Sequence, residues 1–136
     1  MDTRTTINTL GYAGLIPFVA TAILIAAGSA YSDIAAPVAD LYAFGIICFL
    51  TGTWWGVAIG DNRRNLILLS NLYFLVAFLA LVFAPAWWPL FAALLLLAIF
   101  AIEQFSLPTL PRFYRRMRSV LTIVAGCSMA VIYIST

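Results

Sequence analysis

Glu103 is the residue of this sequence whose type and position most favour chemistry inside a membrane. It lies near the end of the fourth of five long apolar stretches. A charged side chain at the centre of a bilayer costs about 2.5–3.5 kcal/mol on insertion scales, so such a residue suggests a function. Glu103 could handle a ligand or a proton in a cytoplasmic cleft. It could also be an interfacial carboxylate that reaches toward the arginine-rich loop after it, which is the interpretation we favour.

Other polar and tryptophan side chains are expected at the same depth as Glu103. At about 1.5 Å per residue, Asn71 lies roughly 8–10 Å into its helix from the cytoplasmic end. The candidate ligand or packing site comprises Trp54, Trp55, Asn71, Glu103 and Arg118. The alternative is an ordinary layer of interfacial polar side chains, and the sequence leaves both interpretations open.

Three glycines in the second apolar stretch are spaced by four residues: Gly52, Gly56 and Gly60. In a membrane helix, small residues at this spacing allow another helix to approach closely. The partner could be a helix of the same chain or a second copy of the protein. We favour packing within the chain, because this spacing is common in membrane helices.

The residue types that are missing exclude most catalytic and cofactor chemistry. The sequence has no histidine, and its seven basic residues are all arginine. Histidine-ligated haem or zinc, a Ser–His pair and a lysine Schiff base are therefore excluded. Cys48 and Cys127 lie in apolar runs and are expected to act as small hydrophobic residues. We expect no catalytic, metal or cofactor site and no enzymatic activity, although chemistry based on carboxylates alone stays open.

The composition is that of a membrane protein. Of the 136 residues, 65% are hydrophobic and 9% are charged. Soluble domains have roughly half apolar and about a quarter charged residues, so the surplus apolar surface must face lipid. The net charge of +2 is small and confined to loops, and we expect no nucleic-acid binding.

Five stretches reach the roughly 17–25 residues that a membrane-spanning helix needs. They cover residues 10–29, 40–60, 66–83, 87–105 and 118–134. Ser32, Asp33 and Pro37 separate the first two stretches. Continuous apolar runs do not fit the alternation of barrel strands. The sequence therefore predicts one all-α domain, a bundle of five transmembrane helices.

The first stretch is expected to be a bent membrane helix. Its apolar run from Leu10 to Ala27 is longer than the roughly 7–15 residues of a signal-peptide core, which argues against a cleaved signal. Pro17 lies in the middle of this run and removes one helical hydrogen bond. The bend could open a cleft, but we favour an ordinary packing bend.

The arginines predict the orientation. With five spans, all seven lie in the N-terminal tail, between the second and third helices, or between the fourth and fifth. Basic residues stay on the cytoplasmic side of membranes. The sequence thus predicts a cytoplasmic N-terminus and a periplasmic C-terminus.

Three local patterns resemble a small family catalogued as a domain of unknown function, number 3429. They are LGYAGLIPF at 10–18, FLTGTWWG at 49–56, and LPRFY at 110–114 followed by Arg118 and Leu121–Thr122. That family is bacterial, with mitochondrial relatives called transmembrane protein 69. Trp54 stands where the family often has histidine, and Phe113 replaces a usual tryptophan. The resemblance implies a bacterial inner-membrane or mitochondrial location and no established activity.

Small size, a glycine-lined face and the missing catalytic groups favour a non-enzymatic accessory or assembly subunit of an inner-membrane complex. Its expected partners are membrane lipids and either a larger complex or a second copy. The alternative is a binding or transport protein for a lipid-like or quinone-like molecule, which would use the polar layer near Glu103 as a cleft open to the cytoplasm.

Overall fold

The computed structural model describes residues 2–106 and 110–136, and every regular element in them is helical. The six α-helices are α1 (Thr3–Ala13), α2 (Ile16–Ala26), α3 (Ser32–Asp61), α4 (Arg64–Phe83), α5 (Trp88–Ser106) and α6 (Arg112–Ser135), and a 3₁₀ turn over Pro85–Trp87 precedes α5. Counting α1 with α2 as one span, the described residues contain five helices long and apolar enough to cross a membrane. The predicted all-α, five-span membrane fold is confirmed, and its orientation stays a prediction.

Three helices begin earlier than the apolar stretches that predicted them. The first span starts at Thr3, α3 at Ser32 and α6 at Arg112. Hydropathy identifies only the part of a helix that lies in hydrocarbon, so it does not register the polar first turns of these three helices. Pro37, expected to separate two helices, lies inside α3. Proline is tolerated there because the carbonyl it leaves free is still near the membrane surface, where water can bind it.

The α-helix of the first span is interrupted just before Pro17. Helix α1 ends at Ala13 and α2 begins at Ile16. Pro17 has no N–H, and its ring crowds the carbonyl four residues earlier, so the helix is interrupted in that turn. The Tyr42 hydroxyl of α3 donates a hydrogen bond to the Gly14 carbonyl at 2.8 Å. A neighbouring helix thus satisfies a carbonyl at the interruption, and the predicted bend stays a prediction.

A tight turn joins α3 to α4. Asn62 takes the left-handed conformation, with φ of 54°, directly after α3. Asparagine adopts this conformation more readily than most residues. The Arg63 N–H then donates to the Ala58 carbonyl at 2.9 Å, which closes the end of the helix. The turn holds α3 and α4 as an antiparallel pair.

Helix α3 contacts α2, α4, α5 and α6. It packs mainly on α4, with further contacts to α2 and α5, while α6 packs on α5 and α2. Its core face recurs every three or four residues: Ala35, Ala39, Ala43, Ile47, Leu50, Trp54 and Ala58. The alanines let neighbouring helices approach closely. Near the other end, the fully buried Trp88 donates from Nε1 to the Asp40 carbonyl at 3.0 Å.

One end of the bundle carries the arginines, and we call it the basic end. There α1 begins, α3 meets α4, and α5 is followed by α6. The arginines at this end are Arg4, Arg63, Arg64, Arg112, Arg115 and Arg116. Arg118 lies about 9 Å further along α6 than Arg112, since each helical residue adds about 1.5 Å.

Candidate functional site

Glu103 of α5 and Arg118 of α6 form a buried ion pair. Glu103 is 7% exposed and Arg118 is 4% exposed. Arg118 donates from Nε to Oε2 of Glu103 at 3.2 Å and from Nη2 to Oε1. This two-point geometry is the strong form of an arginine–carboxylate contact. The sequence singled out Glu103 as a candidate site residue but did not identify Arg118 as its direct partner.

Trp54 completes this site, which we call the ionic cluster: Trp54, Glu103 and Arg118. The indole Nε1 of Trp54 donates to Oε1 of Glu103 at 3.0 Å, and Trp54 is fully buried. Arg118 Nη2 also donates to the carbonyl of Leu50 at 3.2 Å. Helices α3, α5 and α6 are thus joined by hydrogen bonds to charged groups, which are stronger than those between neutral groups.

Aromatic rings surround the ionic cluster. The Tyr114 ring centroid lies 5.7 Å from the guanidinium carbon of Arg118, within the range of a cation–π contact. The Trp54 and Tyr73 rings meet edge to face, with centroids 5.5 Å apart, so α4 is also tied to the cluster. The charges are therefore enclosed on several sides by protein.

The space beside Glu103 is too small for a ligand, whereas Arg118, with Leu50 and Tyr114, also lines a separate cavity of about 270 Å³. The cavity lined by Glu103, Gln104, Leu110, Arg115 and Arg118 has a volume of about 10 Å³. One water molecule needs roughly 10–15 Å³ measured in this way. The cluster is therefore suited to holding helices together, and its carboxylate already accepts hydrogen bonds from three N–H groups.

Two of the five predicted site residues lie elsewhere. Trp55 is 42% exposed, and Asn71 lies on the exposed side of α4. Consecutive helical residues point about 100° apart, so Trp54 and Trp55 cannot face the same neighbour. The expectation that Trp54, Trp55, Asn71, Glu103 and Arg118 form one site is wrong, because depth along a helix gives the level of a side chain and not its direction.

A second polar network, which the sequence did not single out, lies next to the ionic cluster. Gln104 donates from Nε2 to the Ser119 hydroxyl at 2.8 Å, and Ser119 donates to the Arg115 carbonyl at 2.8 Å. Arg115 donates from Nη2 to Oε1 of Gln104 at 3.3 Å. The sequence did contain a signal for this network: two adjacent polar residues on each of two neighbouring helices, at 103–104 and 118–119.

The glycine stripe faces away from the bundle. Gly52, Gly56 and Gly60 are all exposed. A Cβ atom built on any of the three would have no heavy atom within 4 Å. The favoured interpretation, packing against a helix of the same chain, is therefore wrong. The core side of α3 is already filled by its alanines and Trp54, so the stripe is left on the opposite side, and packing against a second copy stays a prediction.

Comparison with known proteins gives a family and no activity. A family model described as "Protein of unknown function (DUF3429)" matches residues 3–134. Transmembrane protein 69 of Xenopus tropicalis is 35% identical over 129 residues, which cover 88% of this chain and 50% of the relative. The chain thus spans about half the length of that curated relative. No solved structure matches the chain. The family resemblance seen in the sequence is confirmed.

Proposed function

This chain belongs to the family of proteins of unknown function DUF3429, and from that premise we propose that it is a non-enzymatic accessory or assembly subunit of a larger membrane complex. In this proposal, a transmembrane helix of another subunit docks on the outward face of α3. The observation that carries it is the exposed glycine stripe of Gly52, Gly56 and Gly60, with open space above each residue.

The side chains that flank the stripe fit a helix-docking face. Phe49, Trp55 and Ile59 are 66%, 42% and 72% exposed. A helix that approaches the glycines would contact these larger side chains on both sides of the stripe. In lipid, such contacts are driven by close packing rather than by exclusion of water. The glycines supply the close approach and the flanking residues supply contact area.

The ionic cluster supports the same role from the other side of α3. Trp54 and the Leu50 carbonyl bind Glu103 and Arg118, so the turns of α3 that carry Gly52 and Gly56 are fixed to α5 and α6. A surface that is already rigid loses less conformational entropy when a partner binds. The cluster therefore presents the glycine stripe as a preformed surface.

We place the protein in the bacterial inner membrane, with the basic end in the cytoplasm. The support is the arginine distribution, because basic residues are retained on the cytoplasmic side. The runner-up function, carriage of a lipid-like or quinone-like molecule, would need space beside Glu103. The cavity there is only about 10 Å³, and the one of about 270 Å³ that reaches Arg118 is below the roughly 300–1,000 Å³ typical of ligand pockets, so we place the accessory role first.

Substitution of Gly56 by Leu tests the proposal. The bulky side chain would occupy the approach path of a partner helix while meeting nothing in its own chain. We expect the unmodified protein, extracted gently from its native membrane, to retain a stoichiometric partner that mass spectrometry identifies. The Gly56→Leu protein should lose that partner and be no less thermally stable than the unmodified protein.

Ala101→Leu is the matched control. Ala101 is also exposed, and it lies five residues before the end of α5 at Ser106, as Gly56 lies five residues before the end of α3 at Asp61. The same bulk at the same depth on another face should leave partner recovery unchanged. A dimer without other proteins, dissociated by Gly56→Leu, would identify a second copy as the occupant and reject the accessory role. Unchanged recovery in Gly56→Leu would contradict the docking face itself.

A further inference from the structure

A cleft of about 650 Å³ opens at the basic end between α1 and α6, apart from both the ionic cluster and the glycine stripe. Its volume is within the range of roughly 300–1,000 Å³ typical of ligand pockets. Its lining residues are Arg4, Asn8, Tyr12, Arg112, Phe113, Arg116 and Val120. We propose that this cleft binds the phosphate headgroup of an anionic phospholipid from the leaflet at the basic end.

The two walls of the cleft share one spacing. Arg4, Asn8 and Tyr12 follow each other at intervals of four along α1. Arg112, Arg116 and Val120 do the same along α6. Residues four apart lie on the same face of a helix, so each wall is one row of side chains. Both helices begin at the basic end, and so both rows start at arginine there and run inward.

The polarity of both rows changes in the way a phospholipid requires. Each begins with arginine at the membrane surface and ends with Tyr12 or Val120, about 12 Å deeper at about 1.5 Å per residue. Arginine binds phosphate through several donors at once. The aromatic and aliphatic ends would contact the glycerol region and the first methylenes. A free phosphate ion would contact only the arginines at the outer end of each row.

No arginine of the cleft forms a salt bridge within the described residues. Among the described residues, the one salt bridge is between Arg118 and Glu103, outside the cleft. Helix α6 begins with Arg112 after Pro111, without a side-chain cap or an acidic residue in its first turn. The positive end of the helix dipole and the arginines of its first turn therefore repel each other. An anion bound there would relieve both.

The nearest carboxylate at this end, Asp2, has another role. It accepts a hydrogen bond from the Thr5 backbone N–H at 2.7 Å and caps α1. This hydrogen bond, with a smaller contribution from Arg4, holds the pKa of Asp2 below its usual value. Arg4 itself lies over the Phe113 ring, with its guanidinium carbon 4.9 Å from the centroid. This contact holds the charge of α1 against the wall formed by α6.

The test is native mass spectrometry of the full chain in detergent, titrated with dioleoylphosphatidylglycerol or with dioleoylphosphatidylcholine. The acyl chains are identical, so a difference reports the headgroup. We expect tighter binding of the anionic lipid. Arg116→Gln should weaken that binding about tenfold, the equivalent of one hydrogen bond to a charged group. Binding of the zwitterionic lipid should not change.

Arg64→Gln is the matched control, because Arg64 is also exposed at the basic end but lies on α4 and not in the cleft. Equal loss of the anionic lipid in both variants, or equal binding of both lipids, would overturn the proposal. If Arg116→Gln does not fold, Arg112→Gln serves the same purpose. Displacement of the lipid by an equal concentration of inorganic phosphate would identify a free-phosphate site and reject the lipid.

Discussion

The two faces of α3 differ in the contacts that their residues make. The core face carries Trp54, which is fully buried and bonded to a carboxylate of α5. The outward face, at the same level, carries Gly52 and Gly56, with nothing above them. The core face packs against other helices of the chain, and the outward face has no packing partner among the described residues. The difference indicates which side of the molecule maintains the fold and which side is available to partners.

A polar or small residue in a membrane helix can serve either the fold or an interaction with another molecule. A buried charge such as Glu103 suggests function, since unpaired it is costly in hydrocarbon. Here its partners lie within the chain, so its main effect is on the fold. A glycine stripe is commonly an internal contact, yet here it lies on the surface. The position of each residue in the bundle, rather than its type, decides its role.

Breaking the ionic cluster should have the largest effect. Arg118→Leu would leave Glu103 buried without its cation, which typically destabilises a protein by about 3–5 kcal/mol. Thermal unfolding in detergent, followed by circular dichroism, should show a large decrease in the midpoint. The double variant Glu103→Leu/Arg118→Leu should recover much of the loss, because a buried apolar pair is often as stable as a buried ion pair.

A double variant no more stable than Arg118→Leu would show that the pair acts through more than mutual neutralisation. The Leu50 carbonyl and the Trp54 indole, which the pair binds, would then be the groups to examine. The Trp54 indole would be left without a partner, at about 1–3 kcal/mol for a buried group, whereas the Leu50 carbonyl would keep its hydrogen bond from the Thr53 hydroxyl.

Substitution of the two neighbouring tryptophans of α3 compares how much its two faces contribute to stability. Trp54→Phe removes the hydrogen bond to Glu103, and a bond to a charged group contributes about 1.5–3 kcal/mol. Trp55→Phe changes a side chain that is 42% exposed and should alter stability by less than about 0.5 kcal/mol. Unfolding by sodium dodecyl sulfate in mixed micelles compares them directly. Equal effects would mean that Trp54 contributes through its volume alone.

Much of the fold could be predicted from the sequence because lipid imposes strong constraints. Backbone groups in hydrocarbon must be satisfied within the segment, so long apolar runs become helices. The interruption of the helix before Pro17 follows from the chemistry of proline, and only the hydrogen bond from the Tyr42 hydroxyl to the Gly14 carbonyl required the structure. Polar first turns such as those at Thr3 and Arg112 were missed because hydropathy does not register them.

The candidate site could be predicted only in part. The depth of Trp54, Glu103 and Arg118 follows from residue counting, and all three meet in the ionic cluster. The rotation of a membrane helix about its axis is poorly encoded when nearly every residue is apolar. Residue counting therefore gave the level of Trp55, Asn71 and the glycine stripe along their helices but not the direction in which they face.

The smallest expected effect compares two glycines. Gly52→Ala adds a methyl group in open space and removes the helix penalty of glycine, which is about 0.8–1.0 kcal/mol relative to alanine. Gly126→Ala places its Cβ 3.2 Å from Cγ and Cδ2 of Leu97 and 3.5 Å from the Ala93 carbonyl oxygen. Overpacking of this kind costs about 1–3 kcal/mol, which offsets the helix gain.

Thermal midpoints measured in one detergent should therefore move in opposite directions, upward for Gly52→Ala and downward for Gly126→Ala. Both changes add the same methyl group to a helix, so helix propensity cancels and only the surroundings differ. An increase in both variants would mean that Leu97, which is 42% exposed, moves aside easily. A decrease for Gly52→Ala in a preparation that still holds its partner, but not in the isolated chain, would locate the missing contact on the glycine face of α3.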